Sequence, residues 1–108
     1  MEEKRERLCR LLDCYGAALT DRCRDVMTSY YADDLSLAEI AENCGITRQG
    51  VHDALRRGES ELEALNKALC LLEKRERLFS LIDRLSDSGR AEEQAIAAEL
   101  TEIVTGDM

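Results

Sequence analysis

Between Ser36 and Arg57 the chain reads SLAEIAENCGITRQGVHDALRR, and few structures satisfy that run. Ser36 is a strong helix N-cap, and Glu39 three residues later supplies the reciprocal half of a capping box, so a helix is predicted to start here. Leu37, Ile40 and Ala41 recur on one face at the helical period, which marks that face for burial. Asn43 and Gly45 end the helix within two turns, because glycine enters the left-handed region without a Cβ clash. Ile46 is placed to reach the core, Thr47 to cap a second helix, and Val51 and Leu55 to form that helix's inward face. Ala41 is small enough to let the two helices cross closely, and two short helices joined this way at about 90 to 120° make a helix-turn-helix.

The second helix then turns Arg48, Gln49, His52, Asp53, Arg56 and Arg57 outward. Arginine can read guanine and glutamine can read adenine in the major groove. The expectation is that Arg48, Gln49 and His52 approach base edges of duplex DNA while Thr47, Arg56 and Arg57 hold phosphates. His52 is equally compatible with an ordinary surface position.

Proline is absent and glycine occurs only 6 times in 108 residues, so long periodic segments run with few breakers. The predicted class is all-α, a helix-turn-helix bundle with an extended fourth helix and a C-terminal helix. Aromatic side chains are limited to Tyr15, Tyr30, Tyr31 and Phe79, too few for a stacking platform for single-stranded nucleic acid. Cys9, Cys14, Cys23, Cys44 and Cys70 lack a CxxC pair or a histidine cluster, which predicts reduced packing residues, no metal site and no cofactor. With one histidine, no glycine-rich phosphate loop and no paired nucleophile and base, no catalytic residue is assigned. No stretch has the length and apolarity of a membrane span or of a secretory signal, so a cytoplasmic location is expected.

Charge works against the DNA reading. The net charge is −8, whereas affinity for the phosphate backbone is largely electrostatic. Five of the acidic residues lie in the final segment, 91–108, which has no basic residue; residues 1–32 are balanced at six of each sign. The body is therefore only mildly acidic, and any DNA affinity is expected to be weak or to depend on a second copy.

Along the chain, a first helix is predicted from Glu2 to Tyr15, with Leu8, Leu11, Leu12, Tyr15 and Leu19 as its stripe. Thr20 is placed to cap a second over Asp21–Tyr31. The helix that carries Arg57 has no evident stop, and Leu62, Leu65, Leu69 and Leu72 continue it as a heptad seam predicted to mediate homodimerisation. Gly58 within it marks a bend or a close approach. A break is expected near residues 74–77, where EKRER interrupts the seam before Leu78, Phe79, Ile82 and Leu85 resume an apolar face. SDSGR at 86–90 predicts a loop, followed by a last helix with Ile96, Leu100, Ile103 and Val104 inward and an acidic outer face. The division expected is a helix-turn-helix domain over 1–60 and a helical, dimerising extension over 61–108.

The segments LLDCYGAALT, YYADDLSLAEIA and TRQGVHDALRR together resemble the YlxM family of small bacterial helix-turn-helix proteins, encoded beside components of the signal recognition particle. The likeness extends more loosely to the C-terminal promoter-reading domain of sigma factors. It implies a dimeric DNA-binding regulator connected with the signal recognition particle pathway. Gly50, where alanine would be expected, departs from that pattern and loosens the reading helix. The competing reading is a protein adaptor, with the leucine seam and acidic last helix engaging a protein of the targeting or transcription machinery.

Overall fold

The computed structural model describes residues 2–106. Among them the regular elements are α1 (Glu2–Tyr15), one 3-10 turn (Gly16–Ala18), α2 (Asp21–Tyr31), α3 (Leu37–Cys44), α4 (Arg48–Leu69), α5 (Leu71–Ser86) and α6 (Ala91–Thr105). They form two compact units, the first ending at Cys70 and the second beginning at Leu71.

In the first unit α4 is the spine, with α1, α2 and α3 each packed on it. The core it gathers is aliphatic, with Leu11, Val26, Met27, Ile40, Val51 and Leu62 fully buried. The cap predicted at Thr20 forms, its hydroxyl accepting from the Cys23 N–H at 3.2 Å. Gly58 proves to be a close approach: a Cβ there would lie 2.7 Å from Met27 Sδ and 3.0 Å from Cys23 Sγ. Only glycine lets α2 and α4 cross at this distance.

Polar ties fix α1 across the bundle. Arg5 Nη1 donates to the carbonyl oxygens of Tyr30 and Tyr31 at 3.3 and 3.2 Å and pairs with Asp34 at 3.1 Å, so one guanidinium closes the end of α2. Tyr31 donates to Glu59 on α4, and burial, reinforced by that bond, pushes its phenol pKa up. The paired tyrosines stand edge to face at 4.9 Å. The YYADD block is thus a joint between α1, α2 and α4. Deeper in, the Tyr15 hydroxyl donates to Asn66 Oδ1 at 2.8 Å, which gives that buried amide a partner.

Three expectations are corrected. The break expected at 74–77 lies instead at Cys70, which sits in the left-handed region at φ 55° with its N–H on the Asn66 carbonyl, while α5 runs unbroken through the EKRER run of good helix formers. The predicted leucine seam does not exist as an open stripe. Leu62 has no exposed surface and Leu72 only 4 %, whereas Leu65 is half-buried and Leu69 is 48 % exposed. Alongside Leu62, Arg7 of α1 is bonded to Glu63 and Tyr15 to Asn66, so α1 occupies the place a partner helix would take. In α6 the inward face is rotated: Ala97 is buried, while Ile96 and Ile103 are 45 % and 60 % exposed.

The second unit is a helical hairpin in which α6 packs on α5. Its turn uses Gly89 at φ 80°, and Gln94 Nε2 donates to the Ser86 carbonyl across it. No helix among the described residues is long and apolar enough to cross a membrane.

Two measurements check this packing. Gly58→Ala gains about 1 kcal/mol of helix propensity but overpacks the fully buried Met27, at a cost of about 1–3 kcal/mol. A net loss in urea unfolding is expected, in contrast to the gain usual for this exchange at an open helix site. The second concerns pH. The Arg7 hydrogen bonds hold the Glu63 carboxyl below its ordinary value of 4.5, and the Ser36 backbone and hydroxyl bonds do the same for Glu39. A depressed folded-state pKa means that the stabilisation is present above 4.5 and is lost as pH falls through the lowered folded value. The urea midpoint should fall with acidification in that window, and less steeply in Glu63→Gln.

Candidate nucleic-acid interface

The turn between α3 and α4 is built from hydrogen bonds the sequence specifies. Glu39 N–H donates to Ser36 Oγ at 3.1 Å, and Ser36 N–H donates to Glu39 Oε1 at 3.0 Å, completing the capping box. Gly45 follows α3 at φ 67°, ψ 33°. Its N–H donates to the Glu42 carbonyl, and the Ile46 N–H to the Ala41 carbonyl, the paired bonds of a Schellman ending. The chain then leaves in the direction that lets Ile46 fold half-buried against the bundle. Thr47 Oγ1 accepts from the Gly50 N–H at 2.9 Å and starts α4.

Gly50 is explained by the same cap. A Cβ at Gly50 would stand 3.2 Å from Thr47 Oγ1 and 3.7 Å from Ile46, so its absence leaves room for the threonine hydroxyl. The hydroxyl hydrogen of Thr47 remains available to donate outward.

All six residues predicted to meet DNA are exposed. At about 100° per residue around α4, Arg48, His52, Arg56, Gln49, Asp53 and Arg57 follow one another across the face opposite Val51 and Leu55. Arg48 and Arg57 stand at the two margins and Arg56 between them, beside Gln49, whose Nε2 donates to Asp53 Oδ1 at 3.0 Å. That bond ties the Gln49 amide to the neighbouring turn of α4.

At the Arg57 margin the structure adds a residue that the sequence did not indicate. A cleft of about 280 Å³ between the start of α2 and α4 is lined by Thr20, Arg22, Gly50, Asp53 and Arg57, with Cys23 and Ala54 at its base. Arg22 therefore lies beside the same groove as Arg57 although 35 positions separate them in sequence. Local periodicity could not reveal this, because only the α2–α4 crossing at Gly58 brings them together. The Cys23 thiol below is pushed up in pKa, chiefly by burial, and donates to the Ala54 carbonyl at 3.5 Å, so it is a packing residue. Among the described residues no group of three or more His, Cys, Asp or Glu could hold a metal ion.

A capped, glycine-turned helix pair on a supporting bundle, with the second helix exposed along its polar face, defines a helix-turn-helix protein. The chain belongs to the UPF0122 family, whose model, described as "Putative helix-turn-helix protein, YlxM / p13 like", matches residues 2–103. It is 43 % identical over 109 residues to a UPF0122 protein of Geobacillus kaustophilus, covering 95 % of this chain and 99 % of that one. A Bacillus cereus member is 39 % identical over 107 residues, covering 96 % and 94 % respectively. One from Caldanaerobacter subterraneus is 43 % identical over 77 residues, 71 % of this chain and 66 % of its own. The YlxM resemblance read from the sequence is thus confirmed.

The turn makes a sharp prediction. Nothing lies within 4 Å of a Cβ built at Gly45, so only its positive φ penalises a side chain. Gly45→Ala should cost about 1 kcal/mol, and Gly45→Asn less, as asparagine tolerates the left-handed region. Equal losses for the two in thermal unfolding would show that space, and not backbone conformation, decides the position.

Proposed function

We propose that this protein is a sequence-selective duplex-DNA-binding regulator that acts as a homodimer. The observation that carries the reading is the exposed polar face of α4, held rigidly behind a capped turn and left uncovered by the other helices of its unit. Arg48, Gln49 and His52 take the base-reading positions of the first two turns. Thr47, Arg56 and Arg57 take phosphates, and Arg22, across the cleft from Arg57, extends the phosphate-holding margin. Because Asp53 stands within the face beside Arg57 and the chain carries a net charge of −8, one copy binds weakly; two copies on paired half-sites supply the affinity. The process regulated is proposed to be the signal recognition particle pathway, on the family resemblance alone.

The acidic balance favours a second reading, a protein adaptor of the targeting or transcription machinery. Helix α6 carries Glu92, Glu93, Glu99 and Glu102 and no basic residue, a surface suited to a basic protein partner.

Fluorescence anisotropy on duplexes selected from a random pool, at two salt concentrations, tests the DNA reading. Arg48→Ala and Gln49→Ala should weaken selected duplexes more than unselected ones. Arg22→Ala and Arg57→Ala should weaken both alike and each lower the salt slope by about one. Absence of binding at low salt, or binding indifferent to all four substitutions, would leave the adaptor reading standing.

A further inference from the structure

We infer that the α5–α6 hairpin is the homodimer surface, pairing with the hairpin of a second copy to form a four-helix bundle. This rests on the reading of the protein as a dimer and moves its surface away from the leucines of α4. The hairpin leaves large apolar side chains in water: Leu78 and Leu81 on α5 are 41 % and 42 % exposed, and Ile96 and Ile103 on α6 are 45 % and 60 % exposed. They are not scattered. A groove of about 490 Å³ runs between the two helices, lined by Leu78, Leu81, Leu85 and Leu100, and Ile96 and Ile103 stand one turn before and one turn after Leu100 on α6. One continuous apolar face therefore spans both helices.

Size makes the face unstable alone. From Leu71 to Gly106 the described unit has only Leu72, Ile82 and Ala97 as buried residues. Units below roughly 40 residues usually need oligomerisation or a cross-link to hold a fold. Two antiparallel hairpins that bury one face each make a four-helix bundle, the arrangement in which such a unit completes its core.

Charge selects a second copy as the occupant and fixes its direction. Helix α5 carries four basic and three acidic residues, with Arg84 on the rim of the groove, while α6 carries four glutamates and no basic residue. A two-fold axis that sets α5 of one copy beside α6 of the other brings opposite signs together at both rims. Setting α6 on α6 would gather eight glutamates, and that arrangement is disfavoured. The same short segment supplies the apolar face, the basic rim and the acidic rim, which is the self-complementarity an isologous contact requires.

Sedimentation velocity on the full chain tests the surface. The wild type should sediment at twice the 12.2 kDa chain mass. Leu81→Lys on α5 and Ile103→Lys on α6 should each sediment at the single-chain mass with unchanged helical circular dichroism. Leu69→Lys, exposed at the end of α4, should remain dimeric. A dimeric wild type that stays dimeric in Leu81→Lys and Ile103→Lys, or that dissociates only in Leu69→Lys, overturns this surface and leaves the dimer reading intact. A monomeric wild type overturns both. Should one lysine variant lose its helical signal, the other, on a different helix, decides the question.

Discussion

The closeness with which α2 crosses α4 governs the first unit. At Gly58 the two backbones approach until Met27 and Cys23 fill the space a Cβ would need. Because protein interiors are packed as densely as organic crystals, that contact sets the height and rotation of α4 relative to the rest of the bundle. The rotation decides which side chains of α4 face outward. With Val51, Leu55 and Leu62 turned inward by the same packing, Arg48 and Arg57 are left on the exposed side of the helix. The polar face is exposed because the opposite face is so fully used.

Much of this was legible in the sequence wherever the cause was local. The caps at Thr20, Ser36 and Thr47, the left-handed turn at Gly45 and the bounds of α2 follow from residue chemistry within four positions, and each is found where that chemistry puts it. Failures occurred where the cause was distant. Leu62 and Leu72 kept a heptad spacing, but spacing cannot say whether the covering helix belongs to the same chain; for Leu62, α1 is the neighbour. The break at Cys70 carried no glycine or proline to announce it. Arg22 has no sequence signal at all, since its place beside the cleft comes from the helix crossing and not from its neighbours.

The charge of this acidic chain is unevenly distributed. The margins of the α4 face are basic, and the strongest local excess of acid lies on α6, in the other unit. Net charge is therefore a poor guide to what one face of the molecule can hold. Asp53 matters more, because it stands within the face itself and takes a hydrogen bond from Gln49.

The ties between α1 and α4 also bear on how the chain comes together as it is made. Arg7 meets Glu63 across 56 positions and Tyr15 meets Asn66 across 51, whereas the α5–α6 hairpin closes over a short turn. Long loops delay such contacts, because chain entropy is lost before the contact stabilises anything. In a protein synthesised from its N-terminus, α1 emerges well before the residues that seat it, as its place against α4 is incomplete until Asn66 has been made. Until then its leucine stripe is exposed to whatever else is nearby.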